Sequence, residues 1–178
     1  MSENESQRRA NLAAKLLNLS QSQLEWVKGV IDQFQLPHLY ERNQNSDLVS
    51  NDVLERLGDA LRIHHAFSRQ ALSKDRFEFA LERALKLCGI PAALAASRTN
   101  RGHDITIGST RVSLKTEAAN DIRRDAIHVS KWMELGRGEW RLDLLLDIFL
   151  QHLKGYDRIF TLRRLERDRL RLKHIRYF

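Results

Sequence analysis

The sequence predicts a mixed α/β domain of the α+β kind, in which helices flank a small mixed β-sheet and an N-terminal helical region precedes it. Apolar residues recur at helical spacing through much of the first half of the chain and again around residue 145. Short alternating or continuous apolar segments, which are typical of strands, lie between and after these helices. This order of elements indicates a mixed domain, and 178 residues are enough for one core.

Four segments have the apolar spacing of an amphipathic helix, and they cover residues 20–34, 51–61, 73–88 and 139–154. Pro37 follows the first helix, and either Ser50 or Asn51 caps the second. The third helix is the clearest, because Ser73 can cap its first turn and Gly89 can end it. Strand patterns occupy residues 92–97, 104–107, 110–116, 127–130, 157–165 and 170–178.

The hairpin GHDITIGSTRVSLKTE, residues 102–117, gathers polar side chains on one face. With Gly108-Ser109 as a two-residue turn, residue 107 pairs with 110, residue 105 with 112 and residue 104 with 113. The aliphatic side chains of both strands then share one face, which supports this register. The opposite face holds Asp104, Thr106, Arg111, Ser113, Lys115 and Glu117. Asp104 is expected roughly 5 Å from Ser113 and about 7 Å from Lys115, measured between Cβ atoms.

Two hypotheses account for this polar face. In the first, Asp104 and the backbone carbonyl of Leu114 bind Mg²⁺, a hard ion that takes oxygen ligands, while Lys115 orients a water or stabilises charge on a phosphate. A glutamate of the preceding helix, either Glu78 or Glu82, can complete such a site. In the second, the polar residues are the solvated side of a half-buried sheet in a basic protein without a catalytic site.

The net charge and the cysteine content indicate which binding partners and which cellular compartment suit the protein. The net charge of +7 suits a polyanion such as nucleic acid. No apolar run approaches ~18 residues, so no membrane span is expected, and the N-terminal segment lacks the pattern of a signal peptide. Cys88 is the single cysteine, which excludes an intramolecular disulfide and a cysteine-based zinc site. A cytoplasmic protein is therefore expected.

Several longer motifs resemble one nuclease family. A helix with a glutamate precedes a hairpin that has an aspartate on one strand and a lysine on the other. This arrangement is similar to the core of the PD-(D/E)xK nuclease superfamily. Within it, the chain resembles the SmaI-like type II restriction endonucleases from about Leu24 to about Leu162. The motifs that carry this resemblance are LRIHHAFS, ALSKDRFE, SRTNRGHDITI, VSLKTEAA, IHVSKWMELGRGEW and DRIFTLR.

The resemblance implies a restriction-endonuclease-like fold with residues 1–178 as a single nuclease domain, in which a helical region (1–70) precedes the catalytic core (71–178). It implies a homodimeric, Mg²⁺-dependent bacterial enzyme that cuts double-stranded DNA bluntly at the palindrome CCCGGG. By position, Asp104 is the core metal ligand, Lys115 the core lysine and Glu78 the helix glutamate, a second catalytic and metal-binding acid. DNA contacts are expected from arginine, asparagine and other polar residues on either side of the hairpin, namely Arg98, Asn100, Arg101, His103, His128, Ser130 and Lys131.

The chain departs from the family pattern in two ways. Ser113 stands where the superfamily usually has Asp or Glu, so another acid must supply the second carboxylate. Glu78 is the first candidate and Glu117 the second, since Glu117 lies roughly 7 Å further along the strand. The restriction enzymes also continue beyond the position of Phe178. A C-terminally truncated chain is therefore an expectation, and a cleavage-deficient DNA-binding protein of the same fold is the alternative function.

Overall fold

The computed structural model describes residues 3–96, 102–119, 122–123, 125–126 and 141–164. Over these residues the chain forms a mixed α/β fold, as predicted. Its helices are α1 (Glu3–Leu16), α2 (Gln21–Gln35), α3 (Asn51–Phe67), α4 (Lys74–Leu87) and α5 (Leu142–Leu153). Its strands are β1 (Ala92–Leu94), β2 (Ile105–Ile107), β3 (Thr110–Glu117) and β4 (Arg158–Arg163). None of the helices in this part of the chain is long and apolar enough to cross a bilayer.

The strands form one mixed sheet in the order β1-β2-β3-β4. Strands β1, β2 and β3 are antiparallel neighbours, whereas β4 lies parallel to β3 after the crossover through α5. The predicted hairpin register is confirmed, because Ile105 pairs with Val112 and Ile107 with Thr110. Gly108 has a φ of +59° at the turn, a conformation that L side chains rarely adopt.

Helix α4 packs its apolar stripe against the sheet and forms the centre of the core. Phe77, Leu81 and Leu85 are buried on the helix, and Ile105 and Leu114 are fully buried on the strands. Ser73 caps the first turn of α4 by accepting from the backbone N–H of Arg76. The apolar spacing in the sequence had predicted this stripe. Its burial fixes the rotation of α4, and therefore the direction in which its polar residues point.

Several element bounds differ from the predicted ones. Helix α1 was not predicted, because its first seven residues are all polar and its apolar residues lie only in its second half. Helix α3 continues to Phe67 because no glycine or proline lies between Leu61 and Phe67, and Ser50, not Asn51, caps it by accepting from Val53 N–H. Strand β1 is shorter than the predicted segment 92–97. The predicted strands at 127–130 and 170–178 lie outside the described residues.

The polar face of the hairpin is not the solvated surface that the second hypothesis required. Ser113 and Glu117 are each only 2% exposed, whereas Lys115 is half-buried and Arg111 is exposed. A covered polar face must satisfy its polar groups within the protein, because burying them without partners costs free energy. The contacts that satisfy them make up the candidate site.

Candidate active site

Asp104 lies directly before β2 and accepts hydrogen bonds from three donors. Its Oδ1 accepts from Nζ of Lys74 at 2.7 Å. Its Oδ2 accepts from the backbone N–H of Leu114 at 2.5 Å and from the Ser113 hydroxyl at 3.2 Å. The carboxylate is therefore held by three donors, and Ser113 is one of them.

Charge around Asp104 keeps this carboxyl group ionised. Burial alone raises its pKa, but the hydrogen bonds from Lys74 and Leu114 and the charges of Lys74 and Lys115 outweigh that effect. The pKa therefore lies below the ordinary value for aspartate. At neutral pH Asp104 is an anion, which is the form that binds a metal ion.

Glu78 lies beside Asp104, as the docking of α4 on the sheet dictates. It follows Lys74 by one helical turn, and its Oε1 lies 3.4 Å from the same ammonium that contacts Asp104. Its side chain is 16% exposed. The pKa of Glu78 lies above the ordinary value for glutamate. Burial is the largest cause, and the negative charge of Asp104 adds to it, while Lys74 acts in the opposite direction. Two carboxylates from distant parts of the chain thus meet around one ammonium.

Glu82, the other glutamate that the sequence offered, belongs to a different contact. Its Oε1 accepts from Nζ of Lys86 at 2.8 Å and from the backbone N–H of Leu94 at 3.3 Å. These contacts join the end of α4 to β1. Of the two helix glutamates, Glu78 is the one that the structure places with Asp104.

Lys115 lies on β3 opposite Thr161 of β4, two residues beyond Ser113 and therefore on the same face of the strand. Its positive charge contributes to the lowered pKa of Asp104, so the two side chains are close enough to interact. Asp104, which contacts Ser113, and Lys115 therefore lie on the same face of the hairpin, as predicted.

Glu117 forms a buried ion pair that was not predicted from the sequence. Its Oε2 accepts from Nε of Arg163 at 2.8 Å, and the two side chains are only 2% and 11% exposed. Arg163 also donates through Nη2 to the carbonyl oxygens of Arg123 and Ala126, at 2.6 and 2.7 Å. The pair therefore joins the ends of β3 and β4 to the segment that follows β3. The parallel pairing of Glu117 with Arg163 creates this contact, and the sequence alone does not reveal which strands are parallel neighbours.

The ion pair gives Glu117 a large expected effect on stability. We expect Glu117→Gln to lower the free energy of unfolding by about 3 kcal/mol, because removing one partner leaves a buried guanidinium without its counter-ion. Chemical denaturation measures this loss. The control is Asp143→Asn, which breaks the exposed pair of Arg141 and Asp143 and should have a much smaller effect. Equal losses for the two variants would show that the buried pair does not stabilise the fold.

The loop that carries Asp104 rests on the turn between α5 and β4. A Cβ atom on Gly155 would lie 2.7 Å from Cα of Gly102, and one on Gly102 would lie 3.0 Å from the carbonyl oxygen of Gly155. A side chain at position 155 would therefore clash with the backbone of the loop, and one at position 102 would make a tight contact. His103 follows Gly102 directly, so it lies beside this junction.

The remaining predicted DNA-contacting residues lie on either side of the hairpin in the sequence. Arg98, Asn100 and Arg101 precede the hairpin, and His128, Ser130 and Lys131 follow it. All of these lie outside the described residues.

The carboxylate oxygen atoms around Lys74 are chemically suited to bind a hard cation. Over residues 3–96, 102–119, 122–123, 125–126 and 141–164, the structure contains no group of three or more His, Cys, Asp or Glu side chains that could hold a metal. The pair of Asp104 and Glu78 offers only oxygen atoms, which Mg²⁺ prefers, and Mg²⁺ usually binds through one or two carboxylates and retains several waters. Two adjacent acids therefore fit Mg²⁺ better than they fit a zinc site, which uses nitrogen or sulfur ligands.

The chain is similar to site-specific deoxyribonucleases. Residues 12–175 match the family model SmaI, described as Type II site-specific deoxyribonuclease. A curated relative, the type II restriction enzyme SmaI of Serratia marcescens, is 51% identical over 140 residues. This match covers 79% of the chain and 55% of the relative, so the chain spans just over half of the relative's length. No solved structure matches the chain significantly.

Proposed function

Because the chain belongs to the SmaI family of type II site-specific deoxyribonucleases, we propose that it is a Mg²⁺-dependent endonuclease that hydrolyses phosphodiester bonds in double-stranded DNA. The observation that carries the proposal is the meeting of Asp104 and Glu78 around the Lys74 ammonium, with Lys115 on the same face. Acid pairs of this kind bind Mg²⁺, and phosphoryl chemistry needs both a metal and positive charge near the phosphate.

Each residue of the site has a proposed role. Asp104 and Glu78 bind Mg²⁺, which supplies the positive charge that polarises a phosphate and makes a nearby water more acidic. Ser113 and the Leu114 N–H orient the Asp104 carboxylate through their hydrogen bonds. Lys115 orients the attacking water or stabilises the negative charge that develops on the phosphate.

Glu117 has a supporting role in this proposal. It is engaged with Arg163, and we propose that it acts on cleavage by holding the end of β3, where Lys115 lies. Glu117 was the second candidate for the additional metal ligand. Its buried ion pair favours Glu78 for that position.

The DNA-binding surface is proposed to flank the hairpin. The net charge of +7 favours a polyanionic partner. His103, which lies before β2, is proposed to contact DNA together with residues that precede and follow the hairpin, namely Arg98, Asn100, Arg101, His128, Ser130 and Lys131. Guanine-rich sites are read mainly by arginine and lysine donors, so a GC-rich palindrome of the CCCGGG kind, which the family resemblance suggests, fits this set.

A palindromic site favours a homodimer, because the two-fold symmetry of the DNA is matched by two copies of one chain. A restriction enzyme encounters foreign DNA inside the cell, and the relative comes from a bacterium. We therefore propose a homodimer in the bacterial cytoplasm.

Plasmid cleavage tests the proposed function. A supercoiled plasmid with one CCCGGG site is incubated with the protein, with Mg²⁺ or with EDTA, and a plasmid whose site has been altered is the control. The proposal predicts a linear product only with Mg²⁺ and only from the first plasmid. Binding to DNA without cleavage would support the alternative, a cleavage-deficient DNA-binding protein of the same fold, which the presence of Ser113 in place of an acid favours. Smeared products would indicate a nuclease without sequence specificity.

The two helix glutamates provide a matched test of the metal site. We expect Glu78→Gln to lower the cleavage rate by more than about 100-fold, because a lost metal ligand costs at least as much as a lost outer-shell contact. Glu82→Gln removes the same charge one turn further along α4 and should leave the rate nearly unchanged, since Glu82 contacts Lys86 and β1. Glu117→Gln should lie between them. Equal rates for the Glu78 and Glu82 variants would remove Glu78 from the site.

A further inference from the structure

Lys74 occupies an unusual place for a lysine. It is the first residue of α4, directly after the cap Ser73, where the positive end of the helix dipole disfavours a cation. Its side chain is 41% exposed, so its ammonium could lie in solvent. The ammonium instead lies 2.7 Å from Asp104 Oδ1 and 3.4 Å from Glu78 Oε1. Strong local attraction by the two carboxylates therefore outweighs the unfavourable helix position.

The ammonium and a metal ion would compete for the same place. A Mg²⁺ ion that binds both carboxylates must lie about 2.1 Å from an oxygen of each. The ammonium already lies between these two acids and contacts one oxygen atom of each. Two cations held by the same pair of oxygen atoms would repel each other strongly over so short a distance. One of them must leave, and the lysine has a flexible stem on which to do so.

We infer that Lys74 is a built-in counter-ion that occupies the metal position of the metal-free protein and is displaced when Mg²⁺ binds. The inference rests on the proposed function, because it assumes that Asp104 and Glu78 are the metal ligands. It gives Lys74 a role distinct from that of Lys115. Lys74 keeps two adjacent acids together before the metal arrives, and it lowers the apparent affinity for Mg²⁺ because the site becomes competent only when the lysine has moved.

A second lysine on α4 separates this role from an ordinary helix salt bridge. Lys86 lies 2.8 Å from Glu82 in the same i,i+4 family of contacts, and its side chain is 50% exposed, similar to Lys74. Lys86→Met therefore removes the same charge from the same helix. Lys86 contacts a single carboxylate, that of Glu82, which also contacts β1, whereas Lys74 contacts two carboxylates.

Calorimetry on the metal-free protein, without DNA, tests the inference. For Lys74→Met we expect Mg²⁺ binding to become tighter, on the order of tenfold, since the competing cation is gone. The melting temperature in EDTA should fall, because Asp104 and Glu78 then repel each other without a counter-ion. Lys86→Met should change the Mg²⁺ affinity little. Lys74→Arg, which keeps the counter-charge, should bind Mg²⁺ no more tightly than the parent and serves if Lys74→Met fails to fold.

The outcomes separate the inference from the proposed function. If the parent binds Mg²⁺ and Lys74→Met binds it equally or more weakly, the counter-ion role is wrong while the metal site stands. Tighter binding by Lys74→Arg would overturn the role in the same way. If neither the parent nor any variant shows saturable Mg²⁺ binding, the proposed metal site fails and the inference fails with it.

Amine modification of the unaltered protein gives an independent readout. Reductive methylation, followed by mass spectrometry, measures how accessible each lysine ammonium is. Displacement predicts that Lys74 becomes more reactive when Mg²⁺ is added, whereas Lys86 does not change. Equal reactivity of Lys74 with and without Mg²⁺ would contradict displacement.

Discussion

Replacing Asp104 by asparagine is expected to lower the cleavage rate by more than about 100-fold. Asp104 is the residue on which the site converges, since it accepts from Lys74, Ser113 and the Leu114 N–H. Asparagine keeps an acceptor for the backbone N–H but loses the negative charge that a hard cation requires. The cleavage rate of a single-site plasmid and the Mg²⁺ affinity should fall together.

The choice of asparagine over alanine matters for this test. Alanine would leave the buried Leu114 N–H without its acceptor, and a buried donor without a partner costs about 1–3 kcal/mol. A loss of activity in Asp104→Ala would then mix chemistry with stability. Circular dichroism should show a normal fold for Asp104→Asn. If this folded variant cut DNA at the parental rate, Asp104 would not belong to the catalytic site.

The second large effect is expected at Lys115. Lys115→Ala should lower the cleavage rate by about 10²–10³-fold, because removing one preorganised positive group near the reacting phosphate typically costs this much. The affinity for Mg²⁺ should change little, since the lysine acts on water or phosphate and is not a metal ligand. Calorimetry with Mg²⁺ and plasmid cleavage, measured on the same preparation, separate these two effects.

Lys28→Ala provides the matched control for this variant. Lys28 forms a surface pair with Asp32 on α2, so its removal lowers the net charge equally without touching the site. If Lys115→Ala and Lys28→Ala cleaved DNA at the same rate, Lys115 would have no role in catalysis. A loss of Mg²⁺ binding in Lys115→Ala would instead mean that the lysine supports the metal site itself.

The hairpin and the core helix could be predicted from the sequence because their signals are local. The two-residue periodicity on both sides of Gly108 permits one register, since a slip of one residue would expose the aliphatic side chains. The apolar stripe of α4, which includes Phe77 and Leu81, likewise specifies which face of the helix is buried. From these two elements, Asp104 and Lys115 could be proposed as neighbours, together with either Glu78 or Glu82 of the helix. The family resemblance then favoured Glu78.

The contacts that complete the site could not be predicted in this way. Lys74 meets Asp104 across 30 positions of sequence, and Arg163 meets Glu117 across 46. Such contacts depend on how α4 docks on the sheet and on the parallel pairing of β3 with β4, neither of which has a local sequence signature. Only the second hypothesis placed Glu117 on a solvated strand face. The structure contradicts that placement, because Glu117 is buried and paired with Arg163, which also contacts the segment after β3.

Anomalous diffraction from crystals grown with Mn²⁺ tests the metal site most directly, since Mn²⁺ takes the same octahedral oxygen coordination as Mg²⁺. We predict an anomalous peak that marks a Mn²⁺ ion bonded to one carboxylate oxygen of Asp104 and one of Glu78, at roughly the 2.1 Å typical of Mg²⁺. The Lys74 ammonium should have moved away from both carboxylates. A peak bonded to Glu117 in place of Glu78, or a Glu78 side chain that points away from an ion on Asp104, would contradict the account.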